Sequence, residues 1–335
     1  MIEVTAPVRI CDLGGWTDTW FGGPGRVLNF AVEPGVEITL AEIDDRPGQV
    51  RLDLRSFSES YLIHPGQPRP ARHPFIEAAV DLFPPEPAVA HVLTVRSDVP
   101  PGSGTGTSAA VIVGVIAALA RARAAGMGPD QVAYAAHRVE SEVLGGQSGI
   151  QDQMASAHGG ILFLGIDDYP RAEAEHLPAW AGLGDLMTLV YLGRAHSSSD
   201  VHEQVIADAG GSGQPAFEQL RRAAIAGRRA VLDRDVEALG RAMLANSEGQ
   251  ERLHRSLVGQ DARTVIPVAA ATGAVGWKVN GAGGDGGSLV VLHRRADDKD
   301  AFAARLAALS NGYATIPIRV CSTGAVVSPG GESRT

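Results

Sequence analysis

Between Pro100 and Ala110 the chain reads Pro-Pro-Gly-Ser-Gly-Thr-Gly-Thr-Ser-Ala-Ala, and it then runs into an apolar, alanine-rich segment ending near Ala125. That segment has no interior proline and one glycine, Gly114, so a largely buried helix is expected. Thr107 or Ser108 is placed to cap it. A glycine-rich turn feeding a helix start presents several backbone N–H groups and the positive end of the helix dipole, which suits phosphate. No lysine follows the last glycine, so this is not a Walker-type loop. Taken alone, such a turn is more often a plain connector, and the rest of the chain must decide.

Strands and helices interleave around this loop. Val36–Ile43 alternates like a half-buried strand, with Gln49–Leu54 expected to pair with it. His73–Phe83 reads as a helix, and Val89–Arg96 as the strand that delivers the chain to the glycine-rich loop. Pro129 opens a helix expected to reach Leu144, where Gly145-Gly146 ends it. Gly160–Leu164 and Leu186–Leu192 are apolar strands, and the proline-containing stretch between them, Asp167–Gly184, is read as the boundary between a domain at 1–180 and one at 181–335. Beyond it, Asp200-Val201-His202-Glu203 resembles a capping box, and Ile206–Pro215 carries a Gly-Gly-Ser-Gly loop. Helices are expected at Ala216–Leu232, Val236–Leu257, Asp261–Thr272 and Asp298–Leu309, with strands at Val275–Asn280, Ser288–Leu292 and Tyr313–Val320. The interleaving favours an α+β fold with layered sheets.

At 335 residues the chain has room for two domains sharing a cleft. The net charge of −9 and the absence of a basic stripe argue against a nucleic-acid partner. Cys11 and Cys321 match no metal-ligand spacing and suit a reducing compartment. The N-terminal residues lack the basic and apolar regions of a signal peptide, and the longest apolar run, Ala109–Ala120, is too short to span a bilayer. A cytoplasmic protein is expected.

Two further segments must be read with the glycine-rich loop. The chain opens with Ala6-Pro7-Val8-Arg9-Ile10-Cys11-Asp12-Leu13-Gly14-Gly15-Trp16-Thr17-Asp18-Thr19, and near its end carries Lys278-Val279-Asn280-Gly281-Ala282-Gly283-Gly284-Asp285-Gly286-Gly287-Ser288. In this order and at these distances the three resemble the signature motifs of the GHMP small-molecule kinases, a superfamily that includes galactokinase, homoserine kinase, mevalonate kinase and phosphomevalonate kinase. The resemblance runs from residue 6 to about 292. Ser148-Gly149-Ile150-Gln151-Asp152-Gln153-Met154 is similar to the segment that supplies an acidic residue beside the acceptor hydroxyl, in the form found in sugar kinases. Gly14–Thr19 looks most like fucokinase and the heptose-phosphate kinases, whereas galactokinases have Glu-His where this chain has Gly15-Trp16. Leu192–Ser199 is similar to a turn lining the sugar-kinase cleft.

The resemblance implies a two-domain GHMP kinase fold, with an N-terminal half like ribosomal protein S5 domain 2 and a ferredoxin-like C-terminal half, and with ATP and magnesium in the cleft. It implies that Pro101, Gly102, Ser103, Gly104, Thr105, Gly106, Thr107 and Ser108 cradle the ATP phosphates. Ser108 and Glu140 would hold magnesium, with Glu142 as the competing choice. Asp152 would act on the acceptor hydroxyl as base or orienting group. Arg9 would keep that carboxylate ionised and stabilise developing charge; otherwise it is a strand-edge surface arginine. Trp16, Thr17, Asp18, Gly281, Gly283 and Gly284 would meet the substrate, although Trp16 reads equally well as plain core. Asp285 departs from the all-glycine run of the third motif and brings a negative charge towards the phosphates. His196 is a further candidate for touching substrate, and Cys11 is expected to pack only.

The activity implied is phosphoryl transfer to a hydroxyl, most simply the anomeric one, of a sugar or sugar phosphate such as fucose or heptose 7-phosphate. Two alternatives share the fold: an enzyme acting on a non-sugar alcohol or driving decarboxylation, and a catalytically inactive ligand-binding relative. Joint retention of Arg9, Ser108, Glu140 and Asp152 speaks against inactivity. A phosphorylated acceptor calls for a basic pocket, for which Arg51, Arg55, Arg69, Arg72, Arg171 and Arg194 are the candidates. No segment reads as a dimerisation element.

Overall fold

A single 19-residue strand, β2 (Gly25–Ile43), is the spine of the first sheet. It pairs antiparallel with β1 (Ile2–Leu13) along much of its length, with a bulge between Ala6 and Val8 and another between Ile10 and Leu13. Its second half pairs with β5 (Ala90–Ser97), and its first half with β6 (Ile161–Asp168). The computed structural model describes residues 1–195, 205–206, 213–309 and 311–329. His196, the capping box at 200–203 and most of the 206–215 loop lie outside these residues.

On its far edge β5 carries β3 (Val50–Leu54) in parallel, and β4 (Glu59–Ile63) completes that side. The expected pairing of Gln49–Leu54 with Val36–Ile43 is therefore corrected: β5 lies between them, because it already takes the ladder groups of that half of β2. A strand not anticipated, β7 (Arg171–Leu177), pairs with β6. A second sheet, ordered β11-β8-β10-β9, holds β8 (Met187–Tyr191), β9 (Ala274–Val279), β10 (Ser288–His293) and β11 (Ala314–Ile316), all antiparallel. The stretch expected as one strand at Tyr313–Val320 is divided. Its start is β11, while β12 (Arg319–Val320) crosses to β2, and β13 (Val326–Pro329) pairs with β1.

Helix α1 (Pro74–Leu82), α2 (Thr107–Ala122), α3 (Pro129–Arg138) and α4 (Gln151–His158) join Ile38, Leu40, Leu52 and Leu93 of the first sheet in one apolar core. The other side of β1 and β2, through Val8, Ile10, Leu13 and Leu28, packs on β8, β10 and the pair α5 (Gln214–Asp233) and α6 (Val236–Leu253). Burial on both faces is why β1 reads as a nearly continuous buried run. Helices α7 (Gln260–Ala271) and α8 (Asp298–Ala307) cover the second sheet with Val265, Ala269, Phe302 and Leu306. Among the described residues no helix is long and apolar enough to cross a membrane. Mixed sheets and helices in two layered units give the expected α+β architecture.

Candidate active site

The start of α2 differs from expectation in an informative way. Neither Thr107 nor Ser108 caps it; the residue before the helix is Gly106, at φ +70°, and no side chain accepts from the first turn. The hydroxyls instead form a ladder, Ser103 to Thr105 at 2.8 Å and Thr105 to Thr107 at 3.1 Å. An uncapped N-terminus leaves its amides free for a ligand. Gly106 is required twice over, since a side chain there would be strained and its Cβ would lie 3.1 Å from Asp152 Oδ2.

Asp152 stands in the first turn of α4, and Arg9 reaches it from β1. Arg9 Nε donates to Asp152 Oδ1 at 2.8 Å and Nη2 to Oδ2 at 3.1 Å, a bidentate pair, while Nη1 donates to the Gly104 carbonyl. At 3% exposure Arg9 is not a surface arginine. Burial works against its charge, but Asp152 and Asp12 outweigh that and hold its pKa above the ordinary value. The same guanidinium thus ties the carboxylate to the glycine-rich loop.

Glu140 is carried by a π-helical turn, Val139–Val143, that follows α3 and replaces the expected continuous helix. Here the Leu144 amide donates to the Val139 carbonyl at 3.1 Å, five residues back. Ser148 Oγ and Gln153 Nε2 each donate to Glu140 Oε2 at 2.7 Å, and Oε1 is buried without a protein partner. Burial raises its pKa to about 7, with the Asp152 charge adding to the effect and the Ser148 and Gln153 hydrogen bonds opposing it. Glu142 is exposed and pairs with Arg138 at 3.1 Å.

A cavity of about 730 Å³ brings together Arg9, Trp16, Asp18, Glu140 and Asp152 with Pro101, Gly102, Ser103, Gly104, Gly106, Thr107 and Ser108, and also Gly281. Asp18 is 2% exposed and its Oδ2 accepts from the Gln151 amide at 3.1 Å. Burial raises its pKa to about 7; the Gln151 hydrogen bond opposes the rise and Asp152 reinforces it. Trp16 packs with Phe217, Leu220 and Leu257 and also lines the cavity. Its φ of +78° is unusual for a bulky side chain and fixes the indole on that wall.

Four expected contacts are corrected. Thr17 is fully buried, its hydroxyl donating to the Gly14 carbonyl at 2.6 Å, and Thr105 is likewise beneath the loop surface. Gly283 and Gly284 pack on Leu257 and Gly259, the Gly284 amide donating to the Leu257 carbonyl at 3.0 Å. None of the four lines the cavity. Gly281 does, and a Cβ on it would lie 2.7 Å from the Gly104 carbonyl oxygen, so the two glycine-rich loops meet backbone to backbone. Asp285 brings no free charge, because Oδ1 accepts from the Gln260 amide at 2.7 Å and Oδ2 lies 3.2 Å from Arg194.

Sequence reasoning missed the buried pair of Lys278 and Asp12, at 2.9 Å. A lysine inside an apolar strand, in a chain whose one other lysine is Lys299, was the available signal. It also missed Gln151, Gln153, Ser148 and an apolar wall of Leu54, Phe57, Phe75, Val95, Val99 and Val111. The polar three lie in the Ser148–Met154 segment, which was read for Asp152 alone, whereas the apolar wall comes from separate elements and nothing local marks it.

Residues 75–160 match the family model of the GHMP kinases N terminal domain. The chain is 34% identical over 208 residues to a mevalonate kinase from Methanothermobacter thermautotrophicus, covering 59% of this chain and 63% of that one. It thus spans under two thirds of the length of that relative. It is 27% identical over 301 residues to a D-glycero-alpha-D-manno-heptose 7-phosphate kinase from Campylobacter jejuni, covering 85% and 87%. In structure it resembles a D-glycero-D-manno-heptose 1-phosphate kinase from Bacteroides thetaiotaomicron, with a TM-score of 0.78 and 20% identity over 99% of this chain and 100% of that one. A Lactococcus lactis galactokinase complexed with galactose gives 0.75 at 16% identity over 97% and 95%. These structural likenesses speak to the fold.

Proposed function

The chain belongs to the GHMP kinase superfamily, and from that membership we propose that it is a cytoplasmic kinase that uses ATP and magnesium to phosphorylate a hydroxyl, the anomeric one, of a sugar or sugar phosphate. The observation that carries this reading is the Arg9-clamped Asp152 carboxylate in contact with the glycine-rich loop. In the same reading residues 1–180 form the nucleotide-binding domain and 181–335 the second domain, with β12 and β13 returning from the latter to the first sheet.

Phosphoryl transfer needs held phosphates, neutralised charge and an in-line hydroxyl. The open amides of Gly102, Ser103, Gly104, Gly106, Thr107 and Ser108 hold the phosphates, and the apolar wall of Leu54, Phe57 and Val95 takes the base. Among the described residues no three metal-ligating side chains cluster. Glu140 Oε1, buried and without a partner, and the Ser108 hydroxyl nevertheless fit a magnesium ion that takes its other oxygens from phosphate and water. When bound, that ion neutralises phosphate charge.

Asp152 accepts a hydrogen bond from the acceptor hydroxyl and aims its oxygen at the γ-phosphorus. As the new P–O bond forms and the bond to the ADP oxygen breaks, the hydroxyl proton passes to Asp152. Arg9 holds the Asp152 carboxylate in place through its two hydrogen bonds and faces the transferring group. The test is a coupled ADP-release assay with magnesium and ATP across free hexoses, pentoses, heptoses, uronic acids and sugar phosphates. Sugar-stimulated ADP formation supports the reading. Full activity in Asp152→Ala would overturn the role given to that residue.

A further inference from the structure

The two ends of the cavity differ in charge as well as polarity. At one end Arg72 and His73 stand beside Phe57 and Phe75; at the other Trp16, Asp18, Gln151 and Gly281 surround Arg9 and Asp152. Resting on the kinase reading above, we propose that the acceptor is an uncharged polyhydroxyl sugar, and that a sugar already bearing a phosphate is rejected.

Three carboxyl side chains line the cavity, Asp18, Glu140 and Asp152. Its arginines among the described residues are Arg9 and Arg72. Arg9 is committed to Asp152 and the Gly104 carbonyl. Arg72 belongs to the apolar end, where it pairs with Glu59 at 2.6 Å and lies over the Tyr61 ring at 4.3 Å. The other arginines that could have made a phosphate pocket do not line the cavity. Arg51 pairs with Asp45, Arg55 with Asp53, Arg69 with Glu77 and Asp81, and Arg194 with Asp261 and Asp285. Residues 196 to 212 contain neither lysine nor arginine. Among the described residues, a second phosphate would therefore find carboxyl groups beside it and no free arginine or lysine to pair it, which is strongly unfavourable.

What the acceptor end does offer suits hydroxyls. Gln151 is 7% exposed, lines the cavity, and its Oε1 is buried without a partner. Asp18 spends Oδ2 on the Gln151 amide. Neutral hydroxyl donors satisfy both groups, and the Trp16 indole offers a flat apolar wall to a ring face.

The experiment compares matched pairs, each free hexose or heptose against the same sugar phosphorylated at its terminal carbon, in the ADP-release assay. Expected is a kcat/KM for the free sugar higher by roughly 100-fold or more. Gln151→Leu should raise the KM for the free sugar about 10-fold or more while leaving the KM for ATP unchanged. Equal or better use of the phosphorylated partner overturns the proposal. Should no sugar release ADP, titration calorimetry with magnesium and a non-hydrolysable ATP analogue separates the two readings. Binding of free sugars alone upholds the specificity while the transfer reading fails; binding of the phosphates, or of neither, overturns the specificity.

Discussion

Lys278 Nζ lies 2.9 Å from Asp12 Oδ1, and both side chains are about 1% exposed. The pair joins β9 to β1, and so the third glycine-rich segment to the strand that carries Arg9. Asp12 Oδ1 also accepts from the Gly281 amide at 3.2 Å and lies 4.0 Å from Arg9 Nη1. Burial by itself would raise the Asp12 pKa, but Lys278 and Arg9 outweigh it and hold the carboxyl below its ordinary range. One carboxylate therefore ties together a buried lysine, the third glycine-rich segment and a guanidinium.

Removing one partner of this pair leaves the other charge buried. Lys278→Met is expected to cost about 3–5 kcal/mol in urea unfolding, whereas Asp12→Leu combined with Lys278→Met should recover most of that loss. The double variant should still turn over slowly, because the Gly281 amide loses its acceptor and Arg9 loses a neighbouring carboxylate. A double variant no more stable than Lys278→Met would show that the pair is not a coupled unit.

Asp152→Asn keeps the shape of the Arg9 contact but removes the charge and the proton acceptor. Turnover should fall by about 10²- to 10⁴-fold, with ATP affinity by equilibrium binding changed little. A loss confined to ATP binding would move Asp152 from acceptor chemistry to the nucleotide.

Glu140 and Glu142 are separable by geometry, one facing the cavity and the other bonded to Arg138 outside it. Glu140→Gln should raise the magnesium concentration needed for half-maximal activity several-fold or more, and Glu142→Gln should leave it unchanged. A magnesium titration of both variants decides this; the opposite pattern would exchange their roles.

Asp18 gives a pH signature in stability. Its folded-state pKa of about 7 lies above the unfolded carboxylate value, so the fold favours the protonated form. Its contribution is therefore undiminished below about pH 4, falls as pH rises towards 7, and remains lost above that. Asp18→Asn does not titrate, so its melting temperature relative to the parent should rise between pH 5 and pH 8, by the equivalent of at most about 3 kcal/mol. A difference constant with pH would mean that Asp18 is ionised throughout.

The separate glycine-rich segments, their order, and the types of Arg9, Asp18, Glu140 and Asp152 were legible in the chain, because turn chemistry and helix starts are local properties. So were most helices and strands, whose apolar periodicity survives into the fold. The π-helical turn at Glu140, the open start of α2 and the insertion of β5 between β2 and β3 were not, because each depends on what a neighbouring segment does with its hydrogen bonds. Which of the marked residues face the cavity was also beyond local reading. Thr17 and Gly283 carry the same motif signals as Asp18 and Gly281, yet they turn into backbone contacts. The buried Lys278 makes the same point from the other side: a charge inside an apolar strand is tolerable only where a distant carboxylate meets it, and only the tertiary structure brings Asp12 there.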